Sequence, residues 1–326
     1  MKPLRLAAGT MTLMVALVPL QGAAHADDDG HDDRHHKGLP DRVELPDGWQ
    51  PEGITTNHRS LFVGSLAGGG IWMANPRTGI GDVLEPGVEG RVGVGIDFDR
   101  RRGLLWVAGG PTGEVRAHDA HTGDVVATYT FAAPDPDLPR FLNDLTVTRR
   151  GVFVTDSMYQ ELAVIPLDRD ADAPLPAASA AKTLPLTGDL EYVEGFNLNG
   201  IVRFEGKLLA VQSNTGKLFL IRPRNGHTDE VDLHGASLLN GDGLERDDDI
   251  LYVVRNQDHM ITVVELDEDD DDPAGRVVAN LRDSDFDVPT TVARTRDSLW
   301  VVNARFGIEM PEEAEYWVTR IDEFDD

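Results

Sequence analysis

One layout recurs six times along this 326-residue chain, and it restricts the fold more than any other feature. PEGITTNHRSLFVGS begins at Pro51, VGIDFDRRRGLLWVAGG at Val94 and LNDLTVTRRGVFVTDS at Leu142. LNGIVRFEGKLLAVQSN follows at Leu198, GDGLERDDDILYVVRNQ at Gly241 and VPTTVARTRDSLWVVNA at Val288. Each copy has a small or polar corner, a short strand, a charged turn and a second, apolar strand. A third strand usually follows, as in GIWMANP, EVRAHDA, KLFLIRP and MITVVEL. Aligning Gly53, Gly95, Asp144, Gly200, Gly243 and Thr290 gives periods of 42, 49, 56, 43 and 47 residues.

A unit this short cannot bury both faces of its own sheet, so neighbouring copies must cover one another. Short apolar runs bounded by Gly and charged turns, with almost no helical periodicity, call for an all-β chain. A period in the forties with several strands per copy matches one propeller blade. The expected architecture is a six-bladed β-propeller of four-stranded antiparallel blades around a central channel, over residues 41–326. The segment RVELP, residues 42–46, is expected to supply an outer strand that closes the ring with the last blade.

Antiparallel order turns this alignment into geometry. The corner before the first strand and the loop after the second open on the same face of the ring. The first strand lines the channel, so the corner residues converge on its axis. They are Glu52, Val94, Asn143, Asn199, Asp242 and Pro289. Four carry side-chain oxygens and none is His or Cys. Two carboxylates and two amides suit a hard divalent cation, calcium above all, rather than zinc. Taken singly, Asn199-Gly200 reads equally as a hairpin turn and Asn143-Asp144 as a turn cap. Four oxygens in matched positions of four copies are harder to obtain from turn chemistry.

Charge excludes several partners. With 57 Asp and Glu against 30 Lys and Arg, the formal charge is −27, which repels nucleic acid and anionic membranes. The start, MKPLRLAAGTMTLMVALVPLQGAAHA, has a basic beginning, an apolar stretch and a small-residue site, the pattern of a secretory signal over residues 1–26. An exported, soluble protein without membrane insertion is expected. Residues 27–40 read as an acidic, His-rich disordered leader; His31, His35 and His36 could alternatively chelate a transition metal. The acidic tract at 267–272 fails as a calcium loop, because Asp272 and Val278 stand where Gly and Glu are needed. Cysteine is absent, so disulfides contribute nothing to stability. There is no nucleophile elbow, phosphate loop or dinucleotide fingerprint.

The motifs PEGI, LNDL, LNGI and GDGL at this spacing resemble the senescence marker protein/gluconolactonase family of six-bladed propellers, with paraoxonase and diisopropyl fluorophosphatase as more distant relatives. The resemblance spans residues 41–326. It implies one divalent cation, Ca2+, held by Glu52, Asn199 and Asp242, with Asn143 as ligand or substrate contact. It also implies hydrolysis of a lactone or related ester, with Asp242 as general base. The alternative is a non-catalytic, ligand- or partner-binding propeller with a structural calcium. Loops after the second strands should shape the mouth, through Ser65, Asp156, Gln212, Asn256 and Asn303, and Arg305 could stabilise an oxyanion. Two departures stand out: Phe141 where the lactonases place an Arg, and Val94 where the paraoxonases place a His. The expected form is a monomer acting on a small molecule.

Overall fold

Strands mostly of four to seven residues, separated by charged hairpin turns, build six chiefly antiparallel sheets in the computed structural model, which describes residues 38–267, 273–296 and 298–324. The expected signal at 1–26 and the expected leader (apart from its last three residues), together with 268–272 of the second acidic tract, lie outside the described residues. Blade 1 runs from Pro51–Thr56 through Leu61–Ser65 and Ile71–Ala74 to Gly81–Glu85. Blades 2, 3, 4 and 5 repeat this order from inner strands Ile96–Asp99, Leu142–Val147, Leu198–Phe204 and Gly241–Asp247. Blade 6 has only three consecutive strands, Pro289–Thr295, Ser298–Asn303 and Tyr316–Asp322. Its fourth is the N-terminal strand Arg42–Leu45, with Val43 opposite Val318 and Leu45 opposite Tyr316, the ring closure read from RVELP.

The architecture is thus the expected six-bladed β-propeller, and its apolar residues explain why the ring must close. Second strands such as LLWVA and GVFVTD are buried at every position, because both faces of each sheet are covered by neighbours. The described core falls into six clusters, one at each blade–blade interface. Trp106 and Tyr129 fill the interface of blades 2 and 3, and Trp49, Trp300 and Tyr316 that of blades 6 and 1. Each blade sends one inner-strand residue into a different cluster: Ile54, Ile96, Leu145, Ile201, Leu244 and Val292. The same six residues face the central channel.

Blade 4 carries an unexpected fifth strand. Thr187–Gly188 runs parallel to His227–Glu230 at the outer edge, held by bonds such as Thr187 N to Gly226 O at 2.9 Å. The extra chain responsible is the long period between blades 3 and 4.

Candidate metal and catalytic site

The corners owe their geometry to a repeated irregularity in strand pairing. In blade 3, Leu142 pairs with Asp156 but Leu145 pairs with Val154, so one extra residue is accommodated between them. Blades 1, 4, 5 and 6 break register at the equivalent place, between Pro51 and Ile54, Leu198 and Ile201, Gly241 and Leu244, and Pro289 and Val292. Such bulges re-aim side chains. The bulged pairs are Glu52-Gly53, Asn143-Asp144, Asn199-Gly200, Asp242-Gly243 and Thr290-Thr291. Four of the sequence-derived ligands therefore share one structural position. Blade 6 departs from expectation: its equivalent residue is Thr290, not Pro289, and the Thr290 hydroxyl donates to the Glu52 carbonyl at 2.7 Å.

The glycine of each pair lets the inner strands approach. A Cβ on Gly200 would lie 2.2 Å from the Asp242 carbonyl oxygen, and one on Gly243 would lie 2.8 Å from Thr291 Cα. Gly95 meets the corner of blade 3 in the same way, its N–H donating to the Asn143 carbonyl at 2.9 Å. Close packing of neighbouring corners brings their side chains together at the axis.

Electrostatics show how near the oxygens are. Glu52, Asn143 and Asp242 retain only 6%, 5% and 3% of their surface. Burial pushes the Glu52 carboxyl well above its usual range, and repulsion from Asp242 and then Asp144 adds to the shift. Burial raises Asp242 to about 7, opposed first by the Asn256 amide and then by the nearby Asn199 amide and Gly243 N–H, of which only Asn256 makes a hydrogen bond of normal geometry. The Asn256 amide donates to Asp242 Oδ2 at 2.7 Å. Asp242 Oδ1 and Asn199 Oδ1 are buried with no hydrogen-bond partner. Among the described residues no donor reaches the Glu52 carboxylate either. Buried acceptors without donors are costly and rare, and a cation would satisfy these. No three His, Cys, Asp or Glu side chains among the described residues form a metal cluster by themselves, so this set depends on its two amides.

The proposed mouth residues divide. Ser65, Asp156, Gln212 and Asn303 each end a second strand and pair with the first residue of the inner strand. All four are buried and committed to structure. Asp156 binds Arg140 at 2.7 Å and accepts from the N–H groups of Phe141, Met158 and Tyr159. Gln212 ties the Glu191 carbonyl to Asn197 and Thr215. Asn303 donates to Thr319 and accepts from the Asp287 N–H. Ser65 donates to the Trp49 carbonyl at 2.6 Å. None of the four offers a ligand a free polar group. Arg305 is half-buried, paired with Asp287 at 2.7 Å and stacked over Trp317.

Residues that do reach the corners sit one place further along. Asn256 follows Arg255, the true partner of Gly241, and touches Asp242. Ser157 follows Asp156, accepts from the Asn143 amide at 2.9 Å and donates to the Leu198 carbonyl at 2.7 Å. Ser157 and Asp144 were missed from sequence. Asp144, raised to about 7 chiefly by burial, interacts with Asp97, Asp242 and Glu52. The surrounding face is apolar: of the ten exposed large hydrophobics among the described residues, seven lie in its loops, among them Val193, Phe196, Leu239 and Phe306. Phe141, standing where an Arg was looked for, packs edge-on against Phe196 at 4.9 Å between ring centroids.

No family model matches the chain, and no curated protein matches it. Solved structures share its fold. The major Malassezia sympodialis allergen Mala s 1 superposes with a TM-score of 0.64 at 13% identity, covering 86% of this chain and 96% of the allergen. A luciferin-regenerating enzyme gives 0.59 at 12%, covering 85% and 92%. A calcium-binding protein, regucalcin, from Agrobacterium tumefaciens gives 0.58 at 14%, covering 87% and 94%. At these identities the likeness is one of fold.

Proposed function

We propose that the protein is an exported, calcium-dependent hydrolase of a lactone or related ester, working at the corner end of its channel as the senescence marker protein/gluconolactonase family does. The observation that carries this reading is the pair of unpartnered buried oxygens, Asp242 Oδ1 and Asn199 Oδ1, beside the Glu52 carboxylate. Glu52, Asn143, Asn199 and Asp242 would hold the cation, whose positive charge would polarise a substrate carbonyl. The likeness of fold to a calcium-binding regucalcin and to a luciferin-regenerating enzyme supports the same reading.

The chain's own part is proton transfer and positioning. Water adds to the acyl carbon while Asp242 takes its proton. The acyl C–O bond then breaks, and Asp242 returns the proton to the leaving alkoxide, giving an acid and an alcohol. Without the cation burial holds this carboxyl near 7; beside the cation it would be ionised and so ready to take the proton. Asn256 orients it through Oδ2, and the Phe141–Phe196 edge restricts water and favours an apolar acyl or alcohol group. The acidic surface disfavours nucleic acid, and we assign a monomer and a small-molecule substrate. A second reading, a binding propeller with a structural cation, draws on the structural commitment of Asp156, Gln212 and Asn303.

Turnover on a panel of lactones, aryl esters and phosphotriesters, with and without chelator, separates the two. Asp242→Asn keeps an oxygen for the cation but loses the base, so the rate should fall about a hundredfold to ten-thousandfold at any calcium concentration. Glu52→Gln should be rescued by excess calcium. Equal rescue of both variants reduces Asp242 to a ligand, and absence of wild-type turnover across the panel favours the binding propeller.

A further inference from the structure

A wide cavity lies not at the corner site but at the opposite end of the channel. It measures about 960 Å3, and none of Glu52, Asn143, Asn199 or Asp242 lines it. Its inner wall is the ring of Ile54, Ile96, Leu145, Ile201, Leu244 and Val292, one residue from each blade. Its mouth lies between the hairpin turns of blades 3 and 4, at Thr148–Arg150 and Glu205–Lys207, and the outer turn of blade 4 at Arg222–Asn225. A side cavity of about 150 Å3 runs on between these two blades, sharing Arg150, Phe153, Pro223 and Arg224 with the main one.

The charge of this mouth opposes that of the molecule. Seven lining residues are Arg or Lys and four are Asp or Glu, in a chain with 30 basic and 57 acidic residues. Four of the seven are already engaged, Lys207 and, through its charge on Asp97, Arg203 among them. Arg222 pairs with Asp229 at 3.0 Å, and Arg246 donates to the Arg203 carbonyl at 3.0 Å and also to the Asp248 carbonyl. Arg149, Arg150 and Arg224 are exposed, and among the described residues their side chains meet no acceptor. Asp97, Asp144 and Glu245 stand deeper, along the inner strands. An anionic group entering the channel would be attracted at the mouth and repelled further in, so it would stop among the three arginines. Phe153, Leu208 and Val202 leave apolar wall for whatever the group carries.

We propose that this end of the channel binds a small amphipathic anion, with its carboxylate or phosphate head held by Arg149, Arg150 and Arg224. Its apolar body lies along the inner-strand ring and between blades 3 and 4. The site is separate from the corner end and stands whether or not that end is catalytic.

Calorimetric titration of the full chain at low salt with decanoate, decyl phosphate, decanol and inorganic phosphate tests it. One equivalent of decanoate or decyl phosphate should bind, and whichever binds more tightly identifies the head group. Decanol and inorganic phosphate should each bind at least roughly tenfold more weakly. Arg149→Glu/Arg150→Glu and, separately, Arg224→Glu should each weaken the anion about tenfold or more. These turn residues have no partner to lose, so the variants should keep the wild-type circular dichroism and Tm. Equal binding of decanol, undiminished binding by both folded variants, or no binding of either amphiphile overturns the proposal.

Discussion

The two ends of the channel are built from the same six inner strands, yet they differ in shape, polarity and charge. Where the strands begin, five of six carry a bulge, neighbouring corners touch, and buried oxygens converge beneath apolar loops. Where they end, tight hairpin turns splay apart around a wide, basic mouth. The difference comes from one residue per blade. An extra residue at the start of a strand narrows the ring and turns a side chain inward, while regular pairing at its end leaves the channel open. Blade 2 supplies the control: it has Val94 at the corner, regular pairing from Ile96 onward, and no ligand.

The comparison breaks most severely if the corner end loses the buried ion pair beneath it. Asp156→Ala would leave the buried Arg140 with only Glu161 at 2.8 Å and the Ala132 carbonyl, and release the N–H groups of Phe141, Met158 and Tyr159. Removing one partner of a buried pair costs about 3–5 kcal/mol, and with Glu161 still beside Arg140 the loss in urea titration should fall at about 3 kcal/mol. Were Asp156 instead a substrate contact on a free surface, the same variant would alter KM and leave stability nearly unchanged.

A smaller effect is expected from crowding the corners. Gly200→Ala places a Cβ 2.2 Å from the Asp242 carbonyl oxygen, which must push the corners of blades 4 and 5 apart. Overpacking of this kind costs about 1–3 kcal/mol. It should also weaken the calcium-dependent rise in Tm, since ligands on the two blades separate. Gly206→Ala, in a turn at the other end where a Cβ meets nothing within 4 Å, is the contrast. Its positive φ of 80° makes it mildly destabilising, but it should leave the calcium response intact.

Acidity distinguishes the ends more gently. Asp97 is raised to about 6, and Asp144, Asp242 and Glu245 to about 7, in each case mainly by burial. Carboxyls raised in the folded state favour folding while protonated. That stability is complete below the unfolded carboxyl values near 4 and is lost as pH rises through about 6–7. In chelator, Tm should therefore fall between pH 4.5 and 7.5 and level off above. Calcium should remove the part due to Glu52 and Asp242 and leave the part due to Asp97 and Glu245, which lie towards the basic end. A Tm that rises over this interval in chelator contradicts the burial of these groups.

Much of this could be read from the chain because a closed ring demands the same pattern from every blade. Glu52, Asn143, Asn199 and Asp242 were legible because the bulge falls at a constant distance from each apolar second strand. The loop residues were not. DS, QSN, RNQ and NAR are polar or small runs, and nothing in them tells which residue pairs with the inner strand and which faces the channel. An offset of one residue exchanged Asp156 for Ser157, and in blade 6 Pro289 for Thr290. The basic mouth was illegible for another reason. Arg149, Arg150 and Arg224 sit in turns more than seventy residues apart, where charged residues are ordinary, and only the folded ring brings them around one cavity.

Ser157 is the smallest and most discriminating test of the corner end. Its hydroxyl accepts from the Asn143 amide and donates to the Leu198 carbonyl, joining blade 3 to the corner of blade 4 without touching the oxygens proposed to hold the cation. Ser157→Ala removes both bonds and leaves the amide donor buried, which should cost about 1–2 kcal/mol of stability. Asn143 would then be free to turn, so calcium should bind several-fold more weakly while kcat at saturating calcium stays near wild type. Ser213→Ala is the paired control, because that hydroxyl reaches the Gly241 carbonyl and no ligand side chain. It should lose comparable stability with calcium affinity unchanged. If the two variants bind calcium alike, Asn143 is not part of the cation site, and the corner set reduces to Glu52, Asn199 and Asp242.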